Sequence, residues 1–222
     1  MSDHEPQYDN ALELENKPIG SSANFTFHTD PKRLTFTLAR YKFVAKMFSG
    51  FEKVLEVGCG DAWASRIVKQ EVKRLVASDM DEKWIEDATI HRHPDWPISF
   101  VVHNMLRTPF DGGFDGIFSL DVIEHVALEH ERTFVGNMVD SLCGEEGVLI
   151  VGTPSIHSQP YASPVSKAGH INCKDAPGWK ELFKEYFYNV FIFSMNDEVV
   201  HTGFEKMANY YLIMCCGVRD RW

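Results

Sequence analysis

Val54-Leu55-Glu56-Val57-Gly58-Cys59-Gly60-Asp61-Ala62, followed by Arg74-Leu75-Val76-Ala77-Ser78-Asp79, decides how the rest of the chain is read. A β-branched apolar run closes on a glycine-rich turn, a helix-forming segment follows, and a second apolar run ends in a carboxylate. That is the order of a βαβ nucleotide site. Gly58 and Gly60 permit a tight bend and close approach of a ligand to the backbone, and a helix expected to open near Ala62 would aim free N–H groups at it. A dinucleotide fingerprint would want Gly or Ala at position 63, where Trp63 stands, and its bulk obstructs close helix–strand packing; the NAD reading loses ground. No Lys-Ser or Lys-Thr follows the turn, so a P-loop is excluded. Asp79 comes 19 residues after Gly60, where a carboxylate accepts both hydroxyls of a ribose.

Outward from the turn, apolar and amphipathic segments alternate. Strands are expected near 53–57, 74–78, 98–102, 114–119 and 147–152, with helices near 62–70, 82–90 and 129–142 between most of them. Such alternation builds a mainly parallel sheet covered on both faces, with ligands at the C-terminal strand ends. Upstream, Asp30-Pro31 reads as an N-cap and first-turn proline, and Leu34, Leu38, Tyr41, Ala45 and Phe48 predict a helix over 31–48. Residues 20–24 read as loop, and 1–18 as mobile. Downstream, Thr153 to Lys174 reads as a long loop and 177–186 as a helix. Val190–Phe193 and Tyr210–Met214 read as two strands joined by a long connection. The expected fold class is therefore α/β: a Rossmann-like, doubly wound, mainly parallel seven-stranded sheet with an antiparallel C-terminal edge strand. The organisation is a flexible segment over 1–30 and a single domain over 31–222, divided into the N-terminal helix (31–50), a nucleotide-binding core (51–155) and acceptor loops with the last strands (156–222).

The 222 residues suit one domain, and 44% hydrophobic with 24% charged residues is a globular composition. A formal net charge of −10 counts against sequence-independent nucleic-acid binding, which needs clustered Lys and Arg. No apolar run reaches a membrane span and Met1-Ser2-Asp3-His4-Glu5 lacks the regions of a signal peptide, so the expected compartment is the cytoplasm, without a membrane partner. Cys59, Cys143, Cys173, Cys215 and Cys216 include no C-x-x-C pair and read as reduced thiols.

Three motifs in order, Val54–Gly60, Asp79 and Phe118-Ser119-Leu120-Asp121-Val122-Ile123-Glu124-His125-Val126, resemble class I S-adenosylmethionine-dependent methyltransferases of the ubiquinone-biosynthesis O-methyltransferase type, over about residues 50 to 155. The resemblance implies S-adenosyl-L-methionine as cofactor. It places the methionyl part at Gly58, Cys59 and Gly60, with Glu56 steering the amino group. Asp79 would hold the ribose and Met80 pack on the adenine, with Asn104 and Met105 beside it. Asn104 stands where the family has Asp, and its amide oxygen still accepts a hydrogen bond. Ala62 replaces the family's third glycine. Leu120 and Asp121 belong to the post-strand-four motif near the methionyl end. Asp30-Pro31-Lys32-Arg33-Leu34 resembles the family's Asn-Pro-x-Arg-Leu, in which the arginine approaches the cofactor's carboxylate, here Arg33.

An alcohol acceptor needs its proton taken or its oxygen oriented, and histidine is the usual agent near neutral pH. His170 and His201 are the first candidates for the base, then His157. His125 follows strand four directly, where a structural role competes with a catalytic one. His157, His170 and His201 with Asp197 or Glu198 could converge on a cation, but no tight ligand spacing is present and no metal is assigned. The expected function is methyl transfer to a hydroxyl of a small polar metabolite, such as a sugar or nucleotide-sugar. The alternatives are small-molecule N-methylation and a non-catalytic S-adenosylmethionine-binding protein. Acceptor identity and oligomeric state are not written in the sequence.

Overall fold

The apolar runs flanking the glycine turn become neighbouring strands. In the computed structural model, which describes residues 19–220, β1 (Lys53–Val57) pairs in parallel with β2 (Arg74–Asp79) on one side and β4 (Gly116–Leu120) on the other. Leu55 stands opposite Val76 and Ile117. β3 (Ser99–Val102) extends the sheet beyond β2 and β5 (Val148–Pro154) extends it beyond β4, both in parallel. The strand order reverses between β1 and β4, so a crevice opens at the carboxyl ends of these strands.

The sheet has eight strands, in the order β3-β2-β1-β4-β5-β8-β6-β7, one more than the sequence pattern predicts. The extra strand is β7 (Val199–His201), which forms a hairpin with β6 (Phe187–Asn196) inside the segment expected to be a plain connection. The last strand, β8 (Tyr210–Val218), is antiparallel as expected but lies between β5 and β6 rather than at the edge. Tyr211, Leu212 and Ile213 are fully buried. A run apolar on both faces belongs in the interior of a covered sheet, whereas three-residue β7, with Val199 exposed, can bear the edge.

Two apolar layers sandwich the sheet. On one face α2 (Lys32–Met47) and the short α3 (Ser65–Lys69) bring Tyr41, Val44, Phe48 and Val68 against Val54 and Phe118. On the other, α5 (Glu131–Asp140) and α7 (Ala176–Lys184) bring Phe134, Met138, Trp179 and Phe183 against Leu55, Ile117 and Leu149. The helix α4 (Glu82–Ile90) is capped by Asp81, which accepts from Lys83 N–H at 3.0 Å.

Three local expectations change. Residues 21–29 form helix α1 (Ser21–Thr29) rather than loop, held by Ser22 N–H and Oγ donating to Asp61 at 2.7 and 2.6 Å. Expected mobility of residues 1–18 lies outside the described residues. The helix after the glycine turn begins at Ser65, because Ala62 takes the left-handed conformation (φ 54°) and residues 59–64 form turns instead. Thr153–Lys174 is broken by a 3₁₀ turn (Ile156–Tyr161) and by α6 (Pro164–Gly169). Its end is sewn to the strand-four motif by Ile171 and Asn172 N–H donating to Glu124 C=O at 2.8 and 3.0 Å. No helix among the described residues is long and apolar enough to cross a membrane.

Candidate active site

A cavity of about 550 Å³ opens at the carboxyl ends of β1, β2 and β4, within the size range of small-molecule sites. The glycine turn forms one wall. Gly58 is left-handed (φ 79°), and a Cβ there would lie 2.3 Å from Val122 Cγ2, so turn and strand-four motif touch in a way only glycine allows. Gly60 is left-handed too (φ 54°), with open space where a Cβ would stand. Asp79 accepts from Gly60 N–H and Asp81 N–H, both at 3.0 Å. Those bonds fix its carboxylate on the cavity wall, and each oxygen retains a lone pair for a ligand. Exposed Met80 and Trp84 form the apolar rim, with Asn104 and Met105 beyond. Asn104 Oδ1 accepts from Leu106 N–H at 2.9 Å and has one further lone pair.

The opposite wall is the segment after β4. Asp121 is left-handed (φ 58°), and its carboxylate takes both oxygens to Arg40 Nη1, at 2.9 and 2.7 Å. The Arg40 guanidinium also lies 3.7 Å from the Tyr210 ring centroid. The next turn, Ile123–His125, carries Glu124 and His125. Glu124 is fully buried, with Oε2 3.4 Å from Thr153 Oγ1 and Oε1 without a partner among the described residues. Burial and the charge of Asp121 push its carboxyl up to about 8, against the pull of Arg40. His125 Nδ1 lies 2.8 Å from Gly169 C=O, and His170 Nδ1 lies 2.9 Å from Gln159 Oε1. The two rings stand edge to face with centroids 5.3 Å apart. Burial and the neighbouring His125 lower the His170 pKa.

The structure thus brings Gly58, Gly60, Asp79, Met80, Asn104, Met105, Asp121 and His125 to one cavity, with His170 against His125. Other expected site residues lie elsewhere. Arg33 is exposed on α2 and does not line the cavity; Arg40, two turns further on, reaches its wall instead. Leu120 and Cys59 are packed into the core behind the wall. His157 is exposed on the 3₁₀ turn, with its N–H capping to Ser155 Oγ. His201 is excluded by strand order: β7 lies four strand spacings from β4, on the order of 19 Å. Its Nε2 pairs with Asn196 Oδ1 at 2.8 Å within its own hairpin. Asp197 and Glu198 lie beside α2 rather than in the cavity.

Glu56 is buried behind the turn, accepting from Tyr41 Oη at 2.6 Å, with Oε2 unpaired among the described residues. Burial pushes its carboxyl up to about 7, from about 4.5. A folded-state pKa raised in this way gives stability that is present below about pH 4.5 and lost as pH rises to about 7. Replacing Glu56 with Gln removes that dependence. The stability of the wild type relative to Glu56→Gln is expected to fall by on the order of 2–3 kcal/mol between pH 4.5 and pH 7.5, read from urea melts across that interval. A constant difference would show that Glu56 is not held protonated.

Comparison with known proteins adds three findings. Residues 55–151 match a family model described as a methyltransferase domain. The mitochondrial ubiquinone biosynthesis O-methyltransferase of Arabidopsis thaliana is 29% identical over 154 residues, which cover 64% of this chain and 46% of that protein. The chain thus spans about half the length of that curated relative. Among solved structures, the methyltransferase domain of bacterial CtHen1-C superposes with a TM-score of 0.67 at 17% identity, covering 82% of this chain and 99% of that one. The N-methyltransferase NodS from Bradyrhizobium japonicum, solved with S-adenosyl-L-homocysteine, gives 0.63 at 18% identity, covering 90% and 94%. At these identities the two structures share the fold.

Proposed function

From a chain whose residues 55–151 form a class I S-adenosylmethionine-dependent methyltransferase domain, we propose methyl transfer from S-adenosylmethionine to a hydroxyl of a small polar acceptor of the sugar or nucleotide-sugar kind. The observation that carries this reading is one cavity with two unlike walls. One wall offers a glycine turn, a fixed carboxylate and an amide, and the other presents His125 beside Glu124 and His170.

The residues present fit the donor. Left-handed Gly58 and Gly60 leave the turn free of side chains where a ligand must come close. Asp79 has lone pairs for two ribose hydroxyls, Asn104 Oδ1 has one for an adenine amino group, and Met80 and Trp84 offer apolar cover for the ring. Bound S-adenosylmethionine supplies a methyl group already activated by its sulfonium. The protein then has to align the acceptor and exclude water, which is worth several kcal/mol of the barrier. Arg40 keeps Asp121 in its left-handed conformation, and this fixes the turn that carries Glu124 and His125. Each imidazole pairs through Nδ1 with a carbonyl oxygen, which can only accept, so the proton sits on Nδ1 and Nε2 keeps its lone pair. Those lone pairs orient the acceptor hydroxyl or receive its proton. The hydroxyl proton would leave to the histidine side or to water as the acceptor oxygen takes the methyl.

The test is mass spectrometry of hydroxylated metabolites incubated with the protein and S-adenosylmethionine. The expected product carries one added methyl on oxygen, and His170→Ala is expected to slow its formation about 100-fold or more. Methylation confined to nitrogen, or an undiminished rate in His170→Ala, would overturn the hydroxyl reading.

A further inference from the structure

We propose that Glu124, His125 and His170 hold a divalent first-row transition cation, of the Zn2+ or Mn2+ class, on the acceptor wall of the cavity. One ligand atom from each residue lies within 4.8 Å of those of the other two. Ligands of one cation at bond lengths of about 2.0–2.2 Å stand roughly 3–4 Å apart, so closure needs only a small shift. A gathering of acidic and imidazole groups alone is weak ground, but two further observations single this one out.

The first is the outer shell. A metal-ligating histidine donates its second ring N–H to a carbonyl or carboxylate, which fixes the tautomer and the ring plane. Both histidines do so here, His125 to Gly169 C=O and His170 to Gln159 Oε1. The Gln159 amide is itself oriented, because its Nε2 donates to Ser155 C=O at 3.1 Å. Both rings are therefore held with Nε2 as the free lone pair. The second is Glu124 Oε1, a carboxylate oxygen in a fully buried residue with no partner among the described residues. Such an oxygen is costly to bury unless something positive meets it. Arg40 acts on Glu124 through its charge but makes no hydrogen bond to it among the described residues, and its Nη1 is spent on both oxygens of Asp121.

Two imidazoles and one carboxylate favour a transition cation over Mg2+, which prefers oxygen ligands and retains water. Three protein ligands leave a position open, as in catalytic rather than structural sites. His125 lines the cavity, so that position faces the acceptor space. With the Nε2 lone pairs occupied, the cation would take over their part in orienting the acceptor: it would lower the pKa of the acceptor hydroxyl, whose proton passes to water, and the resulting oxygen would attack the methyl. This role rests on the proposed methyl transfer, whereas cation binding does not.

The test is titration of chelator-treated protein with ZnCl2 by calorimetry and with MnCl2 by electron paramagnetic resonance, beside a separate S-adenosylhomocysteine titration. One equivalent is expected to bind the wild type. His170→Ala and Glu124→Gln are expected to lose about 100-fold or more in affinity, and Gln159→Leu, which removes the outer-shell acceptor together with its amide bond to Ser155 C=O, about 10-fold. S-adenosylhomocysteine affinity is expected to stay unchanged in His170→Ala and Gln159→Leu, which also shows that these variants fold. Absence of a stoichiometric site in the wild type, or wild-type affinity in His170→Ala, would overturn the proposal. Cation binding without S-adenosylhomocysteine binding would uphold the metal site and defeat the methyl-donor reading.

Discussion

Replacing Arg40 with alanine is expected to destabilise the protein by about 3 kcal/mol, the lower end of what breaking a buried ion pair costs, because the Asp121 carboxylate is partly exposed. For a chain of this size that is a fall in melting temperature of about 8 °C. The loss has two sources. Asp121 is left charged in a left-handed conformation, beside a second carboxyl on Glu124, and the Tyr210 ring loses the cation stacked on it. Because Asp121 leads into the turn bearing Glu124 and His125, the variant is also expected to lose activity out of proportion to its folded fraction. Arg40→Lys keeps a charge but not the planar guanidinium, so it should recover only part of the stability. Thermal melts of the three proteins read this directly, and a fall below about 2 °C in Arg40→Ala would show that the pair is dispensable.

How much of this was legible depends on how local each signal is. Strands β1 to β5, the glycine turn and Asp79 are encoded by neighbouring residues, through apolar runs, two glycines and a strand-end carboxylate, and could be located without tertiary information. The likeness of residues 30–34 to Asn-Pro-x-Arg-Leu points to Arg33 in the first turn of α2 and carries no signal for Arg40. The available clue was helical phase, since Arg40 lies beside buried Tyr41 and four residues before buried Val44. In sequence, His201 and His170 are equivalent polar-loop histidines. Strand order separates them, sending β7 to the far edge of the sheet, while Ile171 and Asn172 tie the other loop to Glu124. No periodicity in Thr153–Lys174 encodes that tie. Helix α1 has little local signal because its main anchor is a tertiary one, Ser22 on Asp61.

The second large effect is expected at Asp79. Its carboxylate shapes the turn through Gly60 N–H and presents its remaining lone pairs to the cavity, so on the proposed reading Asp79→Ala would remove two charge-assisted acceptors from a ribose. At about 1.5–3 kcal/mol for each such bond, the affinity for the nucleoside should fall by at least about 100-fold. Asp79→Asn loses the charge and sets an NH2 against one of the two backbone N–H groups that the carboxylate accepts, so it should keep only part of the affinity.

The central claim is that this cavity takes the methyl donor, and calorimetric titration of S-adenosylhomocysteine into the wild type and Asp79→Ala tests it most directly. One equivalent binding to the wild type, weakened by about 100-fold or more in Asp79→Ala, is the predicted result. No binding to the wild type, or equal affinity in the two proteins, would contradict it.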